Sequence, residues 1–289
     1  MFLLTHAATA EAVMAHSKLT PFQKDQLLIG SVLPDASELN IADERETHTG
    51  GLNFLNSLNK KYKYLGMGVI LHGSSPKGLD YYTHNHFYDI GYKYVIPKTL
   101  TYHSGIIART YERIKPYIRE SSLRQLSDGD AAHFIVEFCF DHLTAKYNKH
   151  IGKRMTRALY NSVPNKSLEL FADYFKITDK RFRRLSRVIQ SNHWNKIFER
   201  FQTVEGTAHN LQHFMFIKSL REHAEKRSFI QTIRNFGRSS LDLLHTKLKD
   251  RSLVRLVDRC VTVLEPEYQP FLDQAVKNMK IMVKKNNIV

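Results

Sequence analysis

The sequence predicts an all-α protein, and three observations carry that reading. Apolar residues recur at helical spacing along most of the chain, and convincing strand alternation is scarce. Thr20-Pro21-Phe22-Gln23 spells a capping box with proline at the first helical position. Glycine (13) and proline (8) are too few, and too scattered, for a loop-rich fold or a low-complexity segment.

Taken in order, the pattern predicts a first helix over 5–16 and a second from the capping box to about Gly30. Leu33-Pro34-Asp35 follows, where the proline biases Leu33 toward extended backbone and leaves Asp35 in a loop at the exit of a helix. An acidic loop, Asp43-Glu-Arg-Glu46, leads to His48, expected near a helix start ahead of Leu52, Leu55 and Leu58. The segment 64–72 reads as a short apolar helix in which Gly66 and Gly68 permit close approach of a neighbour. Gly73-Ser-Ser-Pro-Lys-Gly78 breaks it, and 79–84 resumes with Asp80 and His84 four apart.

Further along, a helix is expected over 100–119 with Pro116 as a kink or early end. Ser127-Asp-Gly-Asp130 should cap the helix carrying His133 and Glu137. Beyond Lys149 the pattern predicts helical pieces broken near Pro164, Gly206 and Pro266, and a boundary is drawn at 150 between residues 1–150 and a basic helical region, 151–289.

The 289 residues, 42% of them hydrophobic, suffice for a sizeable core. Cys139 and Cys260 are the only cysteines, which excludes a disulfide framework or a cysteine-rich zinc site. The opening Met1-Phe-Leu-Leu passes at once to Thr5-His6, unlike a signal peptide, and no run of about 18 apolar residues occurs. A cytoplasmic location is therefore the expectation. The formal charge of +15 favours anionic partners: a phosphate-ester substrate, nucleic acid, or peripheral contact with an anionic membrane surface. Its basic runs, Lys180-Arg-Phe-Arg-Arg-Leu-Ser-Arg187 and Lys247-Leu-Lys-Asp-Arg251, are also what solvated helix faces look like.

The chemistry concentrates in the first half. His133, Glu137 and Asp141 form a polar stripe at helical spacing among Phe134, Ile135, Val136, Phe138 and Phe140. Buried imidazoles and carboxylates need partners, and one metal ion satisfies several at once. Upstream stand six more donors of the same types: His6, Asp35, His48, His72, Asp80 and His84. Asp141 is expected to support a ligating histidine, and Trp194 to serve as a core or groove aromatic. His209 and His213 also lie four apart, without a carboxylate, and read as structural or surface residues.

In this order, Thr5-His6, Leu33-Pro-Asp35, His48-Thr, Leu71-His72, Asp80 with His84, and His133-x-x-x-Glu137 resemble the zinc-dependent phospholipase C family, relatives of the S1/P1-type nucleases, over about the first 140 residues. The resemblance implies a multi-helix bundle with additional C-terminal helices and phosphodiester cleavage at a di- or trinuclear zinc centre. It implies that Asp35, His48 and His72 hold one ion and that Asp80 is shared. His84, His133 and Glu137 would hold a second ion, and His6 a third, with Asp35 orienting or deprotonating the attacking water. Neutral imidazole and carboxylate donors suit Zn²⁺, with Mn²⁺ or Fe²⁺ as alternatives. Two departures stand out. Pro76 occupies the place of the family's aspartate four residues after the histidine, so Asp80 is its expected substitute across an insertion. Met1-Phe2 stands where the family has a processed tryptophan, which favours two ions over three. A noncatalytic basic module that binds polyanions is the alternative reading. A hydrolase of the HD type fits less well, since Asp141-His142 is in reverse order.

Overall fold

A computed structural model describes residues 3–39, 41–85, 106–121, 128–161, 166–191, 193–225, 251–286 and 288. The described residues form helices and connecting turns with no strand. In chain order the α-helices are α1 (Leu3–Val13), α2 (Pro21–Gly30), α3 (Glu44–Thr49), α4 (Gly51–Ser57), α5 (Lys63–His72), α6 (Ile106–Glu120), α7 (Asp128–Tyr147), α8 (Ile151–Asn161), α9 (Lys166–Tyr174), α10 (Asp179–Ile189), α11 (Trp194–Arg200), α12 (Val204–Glu225) and α13 (Arg251–Lys285). A 3₁₀ segment spans Leu33–Leu39, and a π turn spans Tyr81–Asn85.

Helix α2 begins as its sequence dictates. Thr20 Oγ1 accepts from the Gln23 N–H, the Gln23 side chain accepts from the Thr20 N–H, and Pro21 sits where its missing donor costs nothing. Its far end packs closely on α5, because Gly68 brings its Cα against Gly30 and the Leu27 carbonyl, where any β-carbon would stand 2.4 Å from that oxygen. Gly66 faces α4 in the same way, against Leu55. The two glycines thus admit a neighbour on each side of α5, and that closeness decides where His72 ends up.

Helix α1 is central, touching α2, α5, α7, α8 and α13. Every residue from Leu3 to Ala7 is buried, polar ones included. The last helix packs along α6, α7 and α12 through an apolar stripe running from Leu253 to Met282. The core does not divide at residue 150: one cluster of buried apolar side chains extends from Leu3 to Ile288.

Two of the expected breaks fall differently and a third is present. Leu33 and Asp35 lie in the 3₁₀ turn, not in extended backbone or an open loop, since the tighter helix accommodates Pro34 directly after α2. The break expected near Gly206 falls at 201–203, between α11 and α12, and Gly206 sits in the first turn of α12, where its N–H donates to Thr203 Oγ1 and its missing β-carbon leaves room for the Arg200 carbonyl. Pro266 and Pro270 sit on the exposed side of α13, and the buried stripe continues past both. Pro116 likewise lies within α6, while 100–105 and Pro164 lie outside the described residues.

Candidate metal centre

Five of the eight proposed ligands converge. His6 comes from α1, Asp35 from the 3₁₀ turn, His48 from the last turn of α3, His72 from the last residue of α5, and Asp80 from the turn leading into Tyr81–Asn85. Asp80 is at the centre. Its Oδ1 lies 3.2 Å from His6 Nε2, and its Oδ2 lies 3.1 Å from His48 Nε2 and 3.2 Å from His72 Nε2. Asp35 Oδ1 lies 3.7 Å from His72 Nε2. The His6 and His72 rings stack with centroids 3.8 Å apart.

Backbone carbonyls orient two of the rings. His72 Nδ1 donates to the Ser31 carbonyl at 2.8 Å, an acceptor placed there by the close α2–α5 contact. His48 Nδ1 donates to the Glu44 carbonyl at 2.8 Å, one helical turn back. His48 is further pinned by the segment after α5: its carbonyl accepts from the N–H groups of Ser74 and Ser75, and Gly73 allows that approach. The Ser74–Gly78 stretch therefore works as a clamp on His48 as well as a spacer before Asp80.

With Nδ1 of both rings turned to a backbone carbonyl, the two Nε2 atoms lie 3.2 Å apart beside Asp80 Oδ2. Three acceptor atoms at that spacing repel unless a cation lies among them. A proton meets part of the demand. Burial lowers the basicity of His48, but the hydrogen bond and charge of Asp80 outweigh it and push its pKa up to about 9. Burial, reinforced by the charge on His72, drives His6 down to about 4, so that ring is neutral. Burial also opposes ionisation of Asp80 and Asp35, yet His72 holds both below the usual carboxylate range, Asp80 well below it. Asp35 Oδ2 is sealed from solvent and accepts no hydrogen bond.

A divalent ion fits this donor set. Tetrahedral ligands about 2.0 to 2.1 Å from zinc are separated by roughly 3.3 Å, close to the spacing already present. Two overlapping groups have mutually close donor atoms, His6–His72–Asp80 and Asp35–His48–His72, and both rely on His72. Since the other nitrogen of His72 is engaged with Ser31, the two groups would surround a single ion.

Neither of the two close donor groups includes His133 or Glu137. His133 Nε2 and Glu137 Oε1 meet at 2.5 Å as an i, i+4 pair on α7, with Glu137 buried. The His84 side chain lies outside the described residues, as does His86. Asp141 does not support a ligating histidine: its Oδ1 accepts from the N–H and Oγ1 of Thr5, each at 2.9 Å, and so secures the first turn of α1 beside His6. Burial raises its pKa to about 7. His142 donates from Nδ1 to the Phe201 carbonyl, and burial lowers the basicity of His209 and His213. Both cysteines are buried free thiols.

Trp194 belongs to a groove. It lines an apolar cleft that Asp35 also lines, and its Nε1 donates to the carbonyls of Val188 and Ile189. Sequence reasoning missed the carbonyls of Ser31 and Glu44, which any residue type could supply, and the apolar wall from α8 and α10, whose residues resemble ordinary core. No family model, curated protein or solved structure matches the chain. Among the described residues, no helix is long and apolar enough to cross a membrane.

Proposed function

We propose that the protein is a metal-dependent hydrolase of phosphate esters, a phosphodiesterase of the zinc-dependent phospholipase C type. The observation that supports this best is the meeting of His48 Nε2, His72 Nε2 and Asp80 Oδ2, with both rings turned by carbonyl acceptors so that their lone pairs face one point. His6, His48, His72 and Asp80 would hold the ion, preferably zinc. When bound, it supplies Lewis acidity toward a phosphoryl oxygen and acidifies water toward neutral pH. His133 and Glu137, with His84, are the proposed ligands of a second ion.

The chain's own residues do the rest. Asp35 Oδ2, sealed and without a hydrogen bond, is the proposed acceptor of a proton from the attacking water. The carbonyls of Ser31 and Glu44 keep His72 and His48 in the required tautomer. Thr5, fastened to Asp141, fixes the turn that carries His6.

Purified protein would be analysed for bound metal and assayed with bis-p-nitrophenyl phosphate, phosphatidylcholine and single-stranded DNA. Turnover of at least one, lost in His72→Ala, is expected. Inactivity on all three with metal bound would overturn the proposal.

One observation favours a second reading, a noncatalytic module that binds polyanions. Lys180, Arg181, Arg183, Arg184 and Arg187 are all exposed on α10. In that case DNA affinity would fall steeply with salt, without turnover, as phosphate neutralisation requires.

A further inference from the structure

We infer that the cleft beside Asp35 seats a compact apolar substituent of the ester whose phosphate group lies at the histidine and aspartate cluster. This inference rests on the hydrolase reading above and adds a substrate class to it: phosphate esters bearing a short branched alkyl group.

The cleft is built by both halves of the chain. Leu3 of α1 and Leu33 of the 3₁₀ turn form one side, while Leu159 of α8, Val188 of α10 and Trp194 of α11 form the other. Asp35 is the one ionisable residue among those lining it, and the same carboxylate stands 3.7 Å from His72 Nε2. Asp35 is thus the residue that the polar cluster and the apolar cleft share, and a ligand bridging the two would have its polar part on one side of Asp35 and its apolar part on the other. Trp194 adds no polarity, because its only donor is spent on the Val188 and Ile189 carbonyls, and its ring stacks on Phe198. Water has no set of polar partners there, so displacing it by hydrocarbon is favourable.

Size narrows the class. The cleft holds about 50 Å³, about a third of an engineered cavity of roughly 150 Å³ that takes benzene. That volume suits a few carbon atoms and is too small for a fatty acyl chain. Each buried methylene should tighten binding about fourfold until the space is filled.

Trp194 is the only tryptophan, so its fluorescence reports occupancy of the cleft without any need for turnover. The zinc-loaded full chain would be titrated with methylphosphonate, 2-methylpropylphosphonate and octylphosphonate. The branched compound is expected to bind at least tenfold more tightly than methylphosphonate and to shift Trp194 emission, with no further gain for octyl. Val188→Phe, which fills the cleft, should bring the branched compound down to the affinity of methylphosphonate. Leu159→Ala, which enlarges it, should move the preference to a longer chain, and melting curves would establish that both variants fold. Equal affinity for the methyl and branched compounds overturns the cleft assignment while leaving the hydrolase reading standing. A steady gain with chain length through octyl also overturns it, in favour of a long lipid groove. Failure of all three phosphonates to bind zinc-loaded protein overturns the parent reading as well.

Discussion

His48 and His72 meet Nε2 to Nε2 at 3.2 Å although each ring gives its Nδ1 proton to a backbone carbonyl. Two imidazoles oriented in that way would ordinarily repel, and helices α3 and α5 would hold them apart more cheaply. Their approach makes sense around positive charge. A proton on His48, paired with Asp80, supplies such charge. A divalent ion would displace that proton and engage more donors at once, so metal and proton would compete for one place.

The first prediction concerns that competition. Zinc at 100 times its dissociation constant should stabilise the wild-type fold by about 2.7 kcal/mol, read as a rise in the thermal midpoint. Asp80→Ala removes the carboxylate shared by His6, His48 and His72, and its midpoint should not respond to zinc. Elemental analysis should find about two zinc equivalents in the wild type and one fewer in His133→Ala. A single equivalent, unchanged in His133→Ala, would remove His133 and Glu137 from the ligand set.

The second concerns the packing that delivers His72. Gly68→Ala would press a β-carbon to 2.4 Å from the Leu27 carbonyl and 2.6 Å from the Ser31 amide nitrogen. The forced separation of α2 from α5 should cost about 1 to 3 kcal/mol in urea unfolding. It should also draw the Ser31 carbonyl from His72 Nδ1, lowering zinc affinity about 10- to 100-fold. An unaltered zinc affinity in a destabilised variant would show that the Ser31 contact does not orient His72.

How far such a site can be read from sequence depends on which force places each residue. Helical spacing and a capping box are local, and α1, α2, α5 and α7 were legible for that reason. His6, Asp35, His48, His72 and Asp80 were legible as types and order, although 74 residues separate the first from the last. Their supports were not. Ser31 and Glu44 act through carbonyls, which leave no mark on residue identity. The partner of Asp141 is not legible either, because a stripe on one helix does not reveal that Thr5 of another docks its N–H against it. Continuity of α13 through Pro266 was illegible too, since tolerance of proline depends on which face meets solvent.

The third prediction isolates Asp35. Asparagine retains its shape but cannot take up a proton at Oδ2, the atom that is buried without a hydrogen bond. With zinc present, Asp35→Asn should lower kcat on bis-p-nitrophenyl phosphate by about 10² to 10⁴ and change KM little. Wild-type turnover in this variant would assign the proton to another acceptor.

The fourth turns on Asp141, whose surroundings are Thr5 of α1, Thr144 of its own helix and, through Thr144, the hydroxyl of Tyr268 on α13. Burial outweighs the hydrogen bonds from Thr5 and the backbone and the charge of the N-terminus, and raises the carboxyl pKa to about 7 from an ordinary 3.8. The folded chain therefore keeps a proton that the unfolded chain releases. Between about pH 4 and pH 7 the native state binds more protons than the denatured state, and stability must fall as pH rises through that window. Asp141→Asn retains an acceptor for the Thr5 N–H and cannot ionise. Relative to that variant, the wild type should lose about 2 to 4 kcal/mol between pH 4 and pH 8, in urea unfolding with chelator present to keep metal binding out of the comparison. Groups that titrate elsewhere cancel in the difference. A constant gap between the two proteins across the range would mean that Asp141 stays ionised in the fold, with a counter-charge inside the α1–α7 contact.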